Sequence, residues 1–180
     1  MATAYPTTAT ERDVFLSARE QLRGMERHLE SAEALGASHY EIETYVVEHG
    51  RELQRRLIQA NLDLRAGREQ RAEVRGADGI ERGQLRRDSS RPLVTVTGEV
   101  RQARFAYQAH VVEGLHPGDA VLNLPVEVYS HGLRRMAALE ASKGSFAEAT
   151  EQLRVATGVP IGKRQVEELA RRSANDVEEF

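Results

Sequence analysis

Apolar residues in the first third of the sequence recur at alternating spacings of three and four, which is the spacing of one face of an amphipathic helix. From Glu11 to Glu33 the repeating positions are Phe15, Ala18, Leu22, Met25, Leu29 and Ala32. From Tyr40 to Glu73 they are Val46, Gly50, Leu53, Leu57, Ala60 and Leu64, with Ile42 and Ile58 beside them. Because only the short segment LGASH separates the two patterns, they predict a helical hairpin over residues 11–73. Residues 1–10 are predicted to form a disordered head.

The same apolar positions also suit a coiled coil between two chains. Gly50 interrupts the repeat, which favours packing of the two helices within one chain. A homodimer formed through the helices of residues 11–73 stays open as the alternative.

The pattern changes to alternation in the segment 74–128, which predicts a β-hairpin region and a connector. Val94 and Val96 alternate with Thr95 and Thr97, and the strand signal resumes from Val100. Three pairs predict turns: Asp78-Gly79 of type I′, Gly98-Glu99 of type II′, and Pro117-Gly118 of type II.

Positive charge is concentrated in the middle of the chain, although the whole protein has a formal net charge of -3. Residues 51–104 hold thirteen arginines against eight acidic residues, a net charge of +5. The segment RGQLRRDSSRP is predicted to be an exposed loop that contacts DNA phosphates or enters a minor groove. Its candidate residues are Arg82, Arg86, Arg87 and Arg91. A mobile, solvated connector is the competing interpretation.

The last third, residues 129–180, predicts three short helices. The first runs from His131 to Ser142, and Ser145 with Glu148 forms a capping-box signature for the second. Gly158 is a natural C-terminal residue for that helix. The third begins near Gly162, so the segment predicts a helix-turn-helix bundle.

The outward face of the third helix is the strongest candidate for DNA recognition. Lys163, Arg164 and Gln165 lie at its start, the part of a recognition helix that usually enters the major groove. Further along the same surface are Glu168, Arg171 and Arg172. An ordinary solvated face with ion pairs spaced four residues apart is the competing interpretation.

The sequence carries few signals for catalysis or for membrane insertion. It has no cysteine, which excludes disulfides and thiolate chemistry, and its six histidines are scattered. His110, His116 and Asp119 form one local cluster without the spacing of a metal site. No stretch approaches the length of a membrane span and the polar start lacks signal-peptide features, so we expect a cytoplasmic protein with no membrane partner and no cofactor in this chain.

Several segments in order resemble the N-terminal half of bacterial insertion-sequence transposases of the ISKra type. They are GADGIERGQLRR, TGEVRQARFAYQA, LHPGDAVLNLP, YSHGLRRMAALEASKGSFAEATEQL and KRQVEELA. The resemblance covers about Gly50 to Phe180 and is most specific in LNLPVEVYSHGLRR and in GSFAEAT followed by KRQVEEL.

The resemblance implies a protein that binds the ends of a mobile element, with double-stranded DNA of the terminal repeats as its partner. It also implies an RNase H-like catalytic domain, with paired acids and Mg²⁺, beyond the KRQVEELA region. Since the sequence stops at Phe180, we expect no catalytic residue within it and Mg²⁺ only for the absent domain.

The sequence therefore predicts a mainly helical α+β protein, made of a helical hairpin, central β-hairpins and a C-terminal tri-helical bundle. The leading functional hypothesis is the DNA-binding, non-catalytic region of a transposase. A helical dimerisation module and a domesticated DNA-binding regulator are the alternatives.

Overall fold

A computed structural model of the protein describes residues 14–178, with side chains as far as Ser173. The predicted head at residues 1–10 lies outside the described residues. The chain is α+β and mainly helical, as the sequence predicts. It divides between Arg68 and Glu69 into two compact units.

In the described part of the first unit the helices are α1 (Leu16–Leu29), α2 (Ala32–Gly36) and α3 (His39–Arg68). Ser31 and Ser38 cap the N-termini of α2 and α3. The Ser31 side chain accepts a hydrogen bond from the backbone N–H of Ala34 at the start of α2. The Ser38 hydroxyl accepts one from the N–H of Glu41, whose carboxylate accepts in turn from the N–H of Ser38 at 2.7 Å. The Ser31 cap and the reciprocal Ser38–Glu41 cap stabilise these helix starts because they satisfy N–H groups that lack an intrahelical partner.

Helices α1 and α3 form the predicted antiparallel hairpin. The ring of His28, near the end of α1, stacks on Tyr45 near the start of α3, with 3.9 Å between the ring centroids. Close to the start of α1, the Ser17 carbonyl oxygen accepts a hydrogen bond of 3.1 Å from Arg56. The predicted helix ends were too late, because α1 stops at Leu29 and α3 at Arg68 rather than at residues 33 and 73.

In the second unit a three-stranded antiparallel sheet has the order β1 (Gln84–Thr95), β2 (Gly98–Ala109) and β3 (Val112–Leu115). Leu93 lies opposite Val100, and both side chains are buried. The β1–β2 register shifts between Arg86 and Ser89. The long, paired strands β1 and β2 are called the ribbon below.

The predicted turns of this region were placed or typed wrongly. Val96 and Thr97 connect β1 to β2, and Gly98 follows with a φ of +126° that favours glycine. The segment around Asp78 makes a single bridge between Arg75 and Glu81 instead of a β-hairpin. Since Asp78 has no positive φ, the predicted type I′ turn is absent there.

The connector between the sheet and the last three helices contains a short helix, α4 (Pro117–Val121). Pro117 occupies its first turn, where the missing N–H of proline costs nothing, so the predicted type II turn was wrong. The backbone N–H of Val94 in β1 donates to the Val128 carbonyl at 2.6 Å, and the N–H of Ser130 donates to the Val94 carbonyl at 2.9 Å. These bonds tie the end of the connector to the sheet.

Three helices complete the unit: α5 (His131–Ala141), α6 (Phe146–Thr157) and α7 (Lys163–Glu178). Leu133, Leu153 and Val166, one from each helix, are fully buried and form the centre of the bundle core. Val159 and Ile161 from the α6–α7 turn are buried in the same core. The tri-helical bundle is therefore as predicted.

Helix α6 begins and ends where the sequence predicts. Ser145 and Glu148 make both hydrogen bonds of a capping box. Gly158 ends α6 in the left-handed conformation, with φ of 71°. Within the described part of the chain, none of the helices combines the length and apolarity needed to cross a bilayer.

Candidate nucleic-acid interface

The first turn of α7 presents two cations to solvent. Lys163 and Arg164 are exposed, and the first turn holds no acidic residue. Positive side chains at a helix N-terminus are unfavourable for the helix itself, because the macrodipole places partial positive charge there. Helix stability therefore does not account for these cations, and an anion near them would be bound by side chains, backbone N–H groups and dipole together.

Arg171 extends this surface along α7. It lies seven residues after Arg164, or about two turns and 10 Å further along the same face. Both side chains are exposed, and the exposed carboxylate of Glu167 lies between them along the helix. Lys163, Arg164 and Arg171 are called the α7 cation face below.

Gln165 does not extend away from the protein with its neighbours. Its side-chain oxygen lies over Gly162, so close that a methyl group on Gly162 would collide with it. Residue types Glu and Gln at this third helical position commonly fold back toward the residue that caps the helix. The predicted adenine-reading role of Gln165 would require this side chain to change rotamer.

Arg172 is partly buried in an ion-pair cluster. Its guanidinium contacts the carboxylates of Glu168, one turn earlier, and of Glu127 in the connector. Arg134 of α5 lies 3.7 Å from the other oxygen of Glu127. Arg172 therefore holds α7 against the connector and offsets the charge of Glu168, which would otherwise repel a phosphate near the cation face.

Glu127 is the site residue that sequence reasoning missed. It lies forty-five residues before Arg172, so no local spacing relates the two. A hydrogen bond from its own backbone N–H, followed by the charges of Arg134 and Arg172, lowers the pKa of Glu127. The carboxylate is accordingly kept ionised and available to both arginines.

The predicted exposed arginine loop is wrong, because the segment forms strand β1 and its four arginines have different surroundings. Arg82, just before the strand, is only 4% exposed. Its guanidinium donates to the Asp78 carboxylate at 2.6 Å and to the carbonyl oxygens of Ile80 and Glu113. The hydrogen bond from Arg82 is the main cause that lowers the pKa of Asp78 to about 2. Arg82 thus links three parts of the fold, and its guanidinium is enclosed by protein atoms instead of facing solvent.

Arg91 is also held within the fold. It donates to Asp119 in α4 at 3.3 Å and to the backbone carbonyl oxygen of Val126 at 3.2 Å. Asp119 is paired with Arg104 of β2 as well. The side chains of these two arginines are 13% and 12% exposed, so the pair joins the connector to the inner face of the ribbon.

His116 lies beside this pair. Its ring Nδ1 is 3.3 Å from the carbonyl oxygen of Phe105, to which it donates in the neutral ring. Burial, followed by the positive charge of Arg104, lowers the pKa of His116. Within the sequence-local group of His110, His116 and Asp119, Asp119 thus pairs with arginines and the His116 ring contacts a backbone carbonyl oxygen.

Arg86 and Arg87 remain exposed on the ribbon. Arg86 is 3.2 Å from Asp88. The guanidinium carbon of Arg87 lies 5.6 Å from the centroid of the Phe105 ring, within the range of a cation–π contact. These two residues are the part of the arginine segment that faces solvent.

The ten predicted site residues therefore separate into four groups. Lys163, Arg164 and Arg171 form the α7 cation face, with Gln165 folded back beside it. Glu168 and Arg172 pair with each other, and Arg86 and Arg87 form a second exposed basic pair on the ribbon. Arg82 is buried and Arg91 is mostly covered, and both are held by contacts within the fold. No group of three histidines or carboxylates converges as metal ligands anywhere in the described residues.

No family model matches this sequence, and no curated protein matches it. Membership of a transposase family accordingly stays a prediction from the segments quoted above.

Proposed function

We propose that the protein binds double-stranded DNA through the α7 cation face. One observation carries this proposal: exposed cations occupy the first turn of α7, where they oppose the helix dipole, and Arg171 continues them along the same face. A solvated face selected for helix stability would place acidic residues in that turn.

The dimensions of α7 suit the major groove, which admits a single α-helix. Arg164 and Arg171 are about 10 Å apart, so their side chains span about three base-pair steps of DNA. An arginine can donate two hydrogen bonds to guanine O6 and N7, whereas Lys163 at the helix start suits a phosphate. Arg172 would act as a positioning residue, because its contacts with Glu127 and Glu168 fix the helix.

We further propose that this DNA is the terminal repeat of a mobile element, and that the chain is the non-catalytic, N-terminal region of an ISKra-type transposase acting in the cytoplasm. The support is the ordered set of resembling segments, which includes the capping box of α6 and the start of α7. No residue of this chain is assigned to catalysis, and Mg²⁺ belongs to the catalytic domain that the resemblance implies.

The first experiment is to sequence the DNA for about two kilobases on each side of the reading frame, long enough for a catalytic domain of a few hundred residues. We expect flanking inverted repeats and a neighbouring frame with spaced Asp, Asp and Glu codons. Intact host genes without repeats would contradict the transposase assignment and favour a DNA-binding regulator.

The second experiment measures DNA affinity by fluorescence anisotropy. The probes are a duplex of the flanking repeat and a scrambled duplex of equal composition; without repeats, a duplex selected from a random library replaces the first. We expect the specific duplex to bind more tightly, with an affinity that falls steeply as salt increases.

Matched variants identify the contact helix. Arg164→Ala with Arg171→Ala should remove most of the preference for the specific duplex. Lys143→Ala with Arg154→Ala removes the same charge from cations that are already paired with Glu140 and Glu151, and should have little effect. Equal losses for the two double variants, or none for the first, would contradict the assignment of α7.

A further inference from the structure

The helical hairpin of the first unit leaves one side of its apolar seam open. Leu22 of α1 and Val46 and Leu57 of α3 belong to the repeats that bring the two helices together, yet they are 43%, 40% and 43% exposed. Val46 and Leu57 are eleven residues apart, about three turns, and so project from the same face of α3 about 16 Å apart. In a closed helical bundle such positions are buried, because each apolar face packs on another helix.

Gly50 lies between these two residues on the same face. Glycine in the middle of a helix is destabilising relative to alanine, so its presence at this position requires a structural explanation. Apart from the adjoining backbone of α3, no atom of the described residues comes within 4 Å of the position that a Cβ of Gly50 would occupy. Packing within the chain therefore does not require glycine there, whereas close approach by a second molecule would.

Charge is distributed unevenly along α3. Its first half, residues 39–53, has four acidic residues and one arginine, a formal charge of -3. Its second half, residues 54–68, has four arginines and one aspartate, a formal charge of +3. Two copies of α3 side by side would repel each other if parallel and attract each other if antiparallel.

We propose that a second copy of this chain covers the open seam, with the two α3 helices antiparallel about a twofold axis near Leu53. A twofold contact is self-complementary, so the acidic half of each α3 lies along the basic half of the other. An axis between residues 53 and 54 places Leu57 of one copy opposite Gly50 of the other. The missing side chain of Gly50 then makes room for that leucine, and the two hairpins form a four-helix arrangement.

The test is sedimentation equilibrium of the full chain across the micromolar range, without DNA. Its outcome is therefore independent of the proposed DNA binding. We expect a dimer for the wild type. Gly50→Ala favours the α3 helix itself but should weaken the dimer by about tenfold or more, because the added methyl group overpacks the contact. Unchanged or stronger association of Gly50→Ala would overturn the proposed packing.

Charge reversal tests the antiparallel orientation. Glu43→Lys with Glu48→Lys changes the first half of α3 from -3 to +1, and Arg65→Glu with Arg68→Glu changes the second half from +3 to -1. Each double variant alone should dimerise less tightly than the wild type, and an equal mixture of the two should recover association. If either variant strengthens self-association, the helices are not antiparallel and the proposal fails.

Two controls keep the result interpretable. Glu73→Lys with Glu113→Lys makes the same charge change as Glu43→Lys with Glu48→Lys, but at exposed positions of the second unit. It should leave the dimer unchanged. Leu57→Lys should give a monomer whose far-ultraviolet circular dichroism remains helical. A wild-type monomer at every concentration would overturn the inference without affecting the proposal of DNA binding.

Discussion

The guanidinium of Arg172 contacts the carboxylate of Glu127, forty-five residues earlier in the chain, and thereby joins α7 to the connector. Arg134 of α5 approaches the same carboxylate, at 3.7 Å. One acidic side chain from a segment without regular structure thus sits between two helices of the bundle. The contact fixes the position of α7 relative to the connector, because the same arginine also pairs with Glu168 within α7.

We predict that Arg172→Ala and Glu127→Ala each lower the free energy of unfolding, and that the double variant is less destabilised than the sum. Since both side chains are partly exposed, the interaction free energy between the two residues should be about 0.5 to 1 kcal/mol. Urea unfolding of the four proteins measures it. The Glu151–Arg154 pair, whose side chains are 56% and 59% exposed, should couple more weakly. Equal coupling in the two pairs would contradict a special role for Glu127.

A second prediction concerns the pH dependence contributed by His116. Burial and the charge of Arg104 lower the folded-state pKa of this ring below its ordinary value of 6.5. The unfolded chain therefore binds the proton more readily, and the stability contributed by neutral His116 is lost as pH falls through 6.5 toward the folded pKa. We expect unfolding free energies between pH 5.5 and 7.5 to decline more steeply toward acid in the wild type than in His116→Gln.

The comparison with the variant isolates His116, because all other ionisable groups are common to both proteins. The pKa values of Asp78 and Glu52 are lowered to about 2. These carboxylates therefore lose their stabilising charge only in more acidic solution. Parallel stability curves for wild type and His116→Gln would show that the ring does not titrate differently in the folded state.

The elements predicted best were those whose signals are local. The Ser145–Glu148 capping box and the left-handed Gly158 involve residues within one or two turns, so their types and spacing determine them. The turns in the middle of the chain were predicted poorly, because the pairing of β1 with β2 decides where the ribbon reverses. Gly98 was singled out correctly as a turn residue, but it follows the two connecting residues instead of being the first of them.

The candidate site divides in the same way. Periodicity placed Arg164 and Arg171 on the outward face of α7, since Val166 and Leu169 on the opposite face are buried. The partners of Arg82 and Arg91 could not be predicted from spacing alone. Arg82 reaches a carbonyl oxygen thirty-one residues away, and Arg91 reaches one thirty-five residues away. A count of arginines cannot distinguish such interior cations from exposed ones.

We predict that the two ends of α6 contribute measurably to the stability of the bundle. Ser145→Ala removes a capping hydrogen bond and should cost about 1 kcal/mol. Gly158→Ala forces a side chain into the left-handed region and should cost about 1 to 2 kcal/mol, whereas Gly158→Asn should cost less. Thermal unfolding of the three variants checks the order. A Gly158→Ala protein as stable as the wild type would mean that α6 ends differently in solution.

The exposed basic pair on the ribbon gives the last prediction, which separates general from specific DNA contacts. If Arg87 meets a phosphate, Arg87→Ala should weaken binding to the specific and scrambled duplexes equally. It should also reduce the slope of log affinity against log salt by about 0.9. Asp88→Ala changes the charge of the ribbon in the opposite direction. It removes the ion-pair partner of Arg86 and should therefore strengthen both complexes. Anisotropy titrations at several salt concentrations measure both effects. A loss confined to the specific duplex would instead assign Arg87 to base recognition, and no change in either variant would place the ribbon outside the DNA contact.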